Sequence, residues 1–123
     1  MDWVFKIFIL IPGFLHIYFM YMEMFLWEKP RTLKAFGLSA SLAQQTKNMA
    51  FNQGLYNGFL AAGLIWSLFI SDIQWANQVQ IFFLSCIFLA GVVGALTVSK
   101  KIFYLQSLPA AIPLVWVLIK FQF

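Results

Sequence analysis

Four stretches of this chain, residues 3–27, 49–70, 79–98 and 102–119, are nearly unbroken runs of apolar residues. Each is close to the ~20 residues a helix needs to cross about 30 Å of hydrocarbon. A backbone in lipid has to satisfy its own N–H and C=O groups, which leaves only helices and closed barrels. The runs are continuous rather than alternating, so they argue against a barrel. Composition agrees: 63% of the residues are hydrophobic and only 10% are charged, outside the soluble range. Together these features predict an all-α integral membrane four-helix bundle, a single transmembrane domain over residues 1–123.

Basic residues predict its orientation. Lys29, Arg31, Lys34 and Lys47 fall in the first connection, Lys100 and Lys101 form the third, and the second holds Asp72 and no basic residue. The positive-inside rule then makes the first and third connections cytoplasmic and puts both termini on the outer side. Lys6 and Lys120 run against this count, but both lie near span ends and can snorkel. The net charge of +4 is thus topological, and no nucleic-acid partner is expected. Membrane lipids are expected partners, because basic loops can touch anionic headgroups. No cleaved signal peptide is expected, since a basic n-region and a small-residue cleavage site are both lacking. Cys86 is the single cysteine, which rules out an intrachain disulfide and a Cys-rich metal site; it reads as an apolar filler.

Local signals divide the chain further. Pro30 should interrupt the first helix beyond Trp27, and Ser41 with Gln44 resembles a capping box that would start the second helix near Leu42. The segment between them is expected on the headgroup surface. Residues 71–78 form the outer connection, and Ser99-Lys100-Lys101 is short enough to force the last two helices into an antiparallel hairpin. Trp3, Trp27 and Trp75 sit near span ends as interfacial anchors. Pro12-Gly13 predicts a kink in the first span, and Pro109 and Pro113 should bend the fourth.

The polar residues inside the spans are the candidate site. At about 100° per residue, His16, Met20, Glu23 and Trp27 form one stripe of the first helix, with His16 and Glu23 roughly 10 Å apart along the axis. On the second helix Asn52, Gln53, Tyr56 and Asn57 occupy one arc, while Phe51, Leu55, Phe59, Trp66 and Phe69 occupy the opposing, lipid-facing arc. Between them Gly54, Gly58 and Ala61 form a small-residue face suited to close helix packing. Read at their depths, Glu23, the residues 52–57 and Gln106 share the cytoplasmic half, suggesting a polar chamber that is deepest at His16. Each residue also has a plainer reading. Glu23 can be solvated at the interface, and His16 can be a structural imidazole bonded to Asn57 or a carbonyl. The amides can be interhelical glue, at ~0.6 kcal/mol each. Tyr56 and Trp27 can be packing and interface residues or can line a ligand pocket.

These residues resemble a family of small bacterial membrane proteins catalogued as domain of unknown function 1304. The matching pieces are His16, the run Tyr21-Met22-Glu23-Met24-Phe25 with Trp27, and Pro30-Arg31 followed by Phe36. They continue with NQGLYNGFLAAGL from Asn52 to Leu64, then Gln106 and Pro109-Ala110. The resemblance implies a four-helix integral membrane protein of the bacterial cytoplasmic (inner) membrane and leaves its chemistry open.

The favoured expectation is a protein that binds or converts a small or amphipathic molecule entering from the cytoplasmic leaflet. His16 and Glu23 would exchange protons with it as the catalytic pair, while Trp27, Asn52, Gln53, Tyr56, Asn57 and Gln106 would hold it. One alternative is a small dimeric proton-coupled transporter. Another is a non-catalytic scaffold using the Gly54, Gly58 and Ala61 face. No cofactor is expected, and no metal, since one His and one Glu do not make a ligand set.

Overall fold

The computed structural model of the chain describes residues 1–121. Its helices are α1 (Trp3–Phe25), α2 (Pro30–Phe36), α3 (Ala40–Ser67), α4 (Ile73–Thr97) and α5 (Leu108–Lys120), with a π-helical turn, Phe103–Ser107, leading into α5. Among the described residues all regular structure is helical. Three helices, Trp3–Phe25, Ile73–Thr97 and Phe103–Lys120, are long and apolar enough to cross a membrane, which makes this a multi-pass membrane protein by length and composition. α3 is the longest, at 28 residues. Its amides Gln44, Gln45, Asn48, Asn52, Gln53 and Asn57 keep it less apolar than those three.

The chain divides into two compact units, one of His16–Phe59 and the other of Met1–Leu15 with the chain from Leu60 on. In the latter, Phe5, Ile9, Leu64, Leu84, Ile87, Ala110 and Val117 form the apolar core. The Trp116 ring lies 5.5 Å from that of Phe5. α4 starts earlier than its hydropathy suggests, because the Asp72 carboxylate accepts from the Trp75 backbone N–H at 2.9 Å and caps the helix. Most of residues 71–78 are therefore helical, and the outer connection is shorter than expected.

α4 meets the π-helical turn across two glycines. A Cβ on Gly91 would overlap the Ser107 hydroxyl and stand 2.7 Å from the Ser107 backbone nitrogen, and one on Gly94 would stand 2.8 Å from Ile102. This proximity lets the Ser107 hydroxyl donate to the Phe88 carbonyl at 2.8 Å. Pro109 is the second residue of α5 and Pro113 lies inside it. Proline has no N–H to continue the α-helical ladder, and a π-helical turn is one way a helix accommodates the break.

In the other unit the start of α3 departs from expectation. The capping hydroxyl is that of Ser39, which accepts from the Leu42 N–H at 3.1 Å. Ser41 instead accepts from the Gln45 side chain at 3.2 Å, so the Ser41–Gln44 box does not form. α1 ends at Phe25, short of the expected Trp27 and five residues before Pro30. Pro30 instead opens α2, at the position where its missing N–H goes unused. α2 ends at Gly37 in the left-handed region, φ 64°. The Leu38 N–H then reaches the Leu33 carbonyl at 2.9 Å, the bonding pattern that glycine at this position permits. Trp27 packs on Phe36, ring centres 5.1 Å apart, and donates to the Thr46 hydroxyl at 3.1 Å.

Candidate functional site

The site is a pairing of α1 with the middle of α3, and two glycines allow it. A Cβ on Gly54 would lie 2.6 Å from Met24 Cγ and 3.1 Å from both Glu23 Cβ and the Met20 carbonyl oxygen. One on Gly58 would lie 2.7 Å from the Met20 sulfur. Without side chains at these points the α3 backbone comes close enough for the short Asn57 side chain to reach α1. Its amide donates to Glu23 Oε1 at 2.6 Å. Both residues are buried, Asn57 5% and Glu23 9% exposed.

A buried carboxyl in apolar surroundings is costly unless a polar partner replaces water. Asn57 supplies that partner and keeps its own carbonyl as an acceptor. Two turns earlier on the same stripe, His16 is fully buried, 0% exposed. Its ring meets the edge of Phe19 with centroids 5.2 Å apart. His16 and Glu23 are separated by about 10 Å of helix and do not bond to each other. Two proton-carrying groups in one unit, neither open to bulk water, can add and remove protons at separate points of a bound molecule.

The other expected site residues are placed differently. Asn52 and Gln53 are exposed, and Tyr56 is 57% exposed with its ring against Phe59 at 6.2 Å. The helical wheel explains the division. The arc from Asn52 to Asn57 is about 140° wide, and the glycine face adjoins it at the Asn57 edge. α1 packs on the glycines, so it reaches that edge and leaves Asn52 turned away. Trp27 is engaged by Thr46 and Phe36. Gln106 is half-buried in the π-helical turn, in the other unit. Ala61 is buried, 2% exposed. Because Met20 and Met24 of the same chain cover Gly58 and Gly54, these glycines are not a free docking face for a scaffold partner.

Sequence reasoning missed Gln80, which is fully buried. Its Nε2 lies 3.7 Å from the Met1 sulfur, and its Oε1 has no hydrogen-bond partner among the described residues. It was hidden by taking residue 79 as the start of a span. With α4 capped at Asp72, Gln80 stands two turns inside. An open apolar cleft of about 270 Å³ lies against Trp66, Trp75, Val79, Phe82 and Phe83, and no ionisable group lines it. Among the described residues no cluster of three or more His, Cys, Asp or Glu could hold a metal ion.

A family described as "Protein of unknown function (DUF1304)" matches residues 10–118, a stretch that takes in His16, Glu23 and Asn57. The chain is also similar to a protein of Lactococcus lactis subsp. lactis (strain IL1403) named "Uncharacterized protein YpaA". The two are 32% identical over 92 residues, which cover 73% of this chain and 76% of that protein. No solved structure matches the chain significantly.

Proposed function

The chain belongs to the DUF1304 family, and from that premise we propose that it is a four-span protein of the bacterial cytoplasmic membrane that binds and converts a small or amphipathic molecule. In this reading α3 is the fourth span. Its 28 residues reach about 42 Å at 1.5 Å each, more than the ~30 Å required. The basic residues of α2 and of Lys100-Lys101 lie inside the cell and both termini outside. The molecule enters from the cytoplasmic leaflet, near the end of α1 that carries Glu23.

One observation carries the proposal. A carboxyl is held in apolar surroundings by an amide from a neighbouring helix at 2.6 Å, with a buried imidazole two turns away on the same face. A purely structural contact of this kind needs no titratable group, and an apolar pair would pack the same space at lower desolvation cost. Glu23 acts as the proton carrier nearest the entrance, Asn57 orients it, and His16 serves the far end of the bound molecule. With one group at each end of the molecule, a proton can be taken from one position while another is delivered to a second position, the balance of a double-bond isomerisation.

The test is thermal stabilisation of the full-length protein in detergent against a panel of amphipathic acids, alcohols and phospholipids. A binder is expected to raise the unfolding temperature of the parent and to lose that effect in Glu23→Gln and His16→Ala. Stabilisation that survives both substitutions contradicts the proposal. A proton-coupled transporter is the second reading, favoured by the single carboxyl in the first span. Substrate-driven proton flux in proteoliposomes, abolished by Glu23→Gln, would select it over conversion in place.

A further inference from the structure

The outer side of α3 carries a second pattern, unrelated to Glu23. Gln45, Asn48, Asn52, Leu55 and Phe59 follow one another at spacings of three, four, three and four, so Leu55 and Phe59, expected on the arc opposing the amides, lie within about 60° of Asn52 on the helical wheel. That repeat keeps a row of side chains against a partner helix in a left-handed crossing. All five are exposed. Ala43, Ala50 and Asn57, seven residues apart on the opposite side, are buried. Among the described residues the rest of the chain covers only that buried side of this stretch of α3, and the row lies within the wide side left open.

What the open face carries indicates what covers it. The span of residues 49–70 leaves Gln45 and Asn48 at headgroup level and puts Asn52 about one turn inside. An acyl chain can neither donate to nor accept from an amide, so Asn52 turned to lipid would be left unsatisfied. Asparagine and glutamine both donate and accept, so a row of them is complementary to itself. A second copy related by a two-fold axis along the membrane normal brings the same row alongside in the same orientation. We propose that α3 is the subunit interface of a homodimer, with Asn48 and Asn52 of one protomer bonded to the same residues of the other and Leu55 and Phe59 packing beyond them. Asparagine at such a position fixes register and oligomer state in helix pairs. The proposal rests on α3 crossing the bilayer, as argued above, and is independent of any ligand at Glu23.

Single cysteines at Gln45, Asn48, Asn52, Leu55 and Phe59 of the full chain test it, in a Cys86→Ala background that removes the only native cysteine. Lys47, exposed but off the row, is the control position. Membranes containing each variant are treated with a membrane-permeant oxidant. The row positions are expected to form disulfide-linked dimers and Lys47→Cys to form few, because bridging needs Cβ atoms within about 4.5 Å. Asn52→Ala is expected to weaken dimerisation in lipid about threefold. Cross-linking no stronger on the row than at Lys47, with Phe59→Cys still shielded from a water-soluble maleimide, overturns the interface while leaving the span intact. Labelling of Phe59→Cys from water overturns the span and the interface with it.

Discussion

Two helix contacts in this molecule are built in the same way and deliver different chemistry. Where α3 meets α1, Gly54 and Gly58 admit Met20 and Met24, and the approach joins an amide to the Glu23 carboxyl. Where α4 meets the π-helical turn, Gly91 and Gly94 admit Ser107 and Ile102, and the approach joins a hydroxyl to the Phe88 carbonyl. Small residues mark close approach in both. Only the first contact brings a titratable group into apolar surroundings, and a serine bonded to a backbone carbonyl is ordinary membrane-helix glue. The glycines therefore locate contacts, and the group delivered through them separates a candidate site from packing.

Substitutions can break or sharpen that distinction. The largest effect is expected from Gly91→Ala, whose methyl group would meet the Ser107 backbone nitrogen at 2.7 Å. Backbone cannot rotate away, so a loss of about 3 kcal/mol is expected in reversible unfolding. Asn57→Leu should cost about 2 kcal/mol by leaving the buried Glu23 carboxyl without its donor. Glu23→Gln should be far milder in stability, since an amide can still accept from Asn57, while removing ligand binding. A Glu23→Gln protein as unstable as Asn57→Leu would show that the carboxyl is structural. Ser107→Ala should cost about 1 kcal/mol, the net worth of an ordinary hydrogen bond. Gly58→Ala should cost under about 1 kcal/mol, because the atom in its way is the Met20 thioether at the end of a flexible chain. A larger loss there would mean that the α1–α3 contact is as rigid as the α4 one.

The three membrane-length helices were legible from the apolar runs, whereas the short α2, which lies in no such run, was not read as a helix. The shared stripe of His16 and Glu23 followed from helical periodicity. Helix starts were less legible because they depend on which polar residue folds back onto the backbone. Asp72 and Ser39 do so, and neither was singled out as a cap. The amide arc was visible as an arc, but a helical wheel does not say which edge a neighbour covers. That depended on where Gly54 and Gly58 let α1 settle, which brought in Asn57 and left Asn52, Gln53 and Tyr56 outside. Gln80 escaped notice for a related reason. An amide beside a supposed span boundary reads as interfacial until the Asp72 cap moves the boundary.

The pairing of Glu23 with Asn57 is tested most directly by a double-mutant cycle on stability in lipid or detergent, using Glu23→Leu, Asn57→Leu and the double variant. A buried carboxyl bonded to its neighbour predicts a coupling of at least about 1 kcal/mol, with the double variant more stable than Asn57→Leu alone. Additive losses, with no coupling between the two positions, would contradict the account.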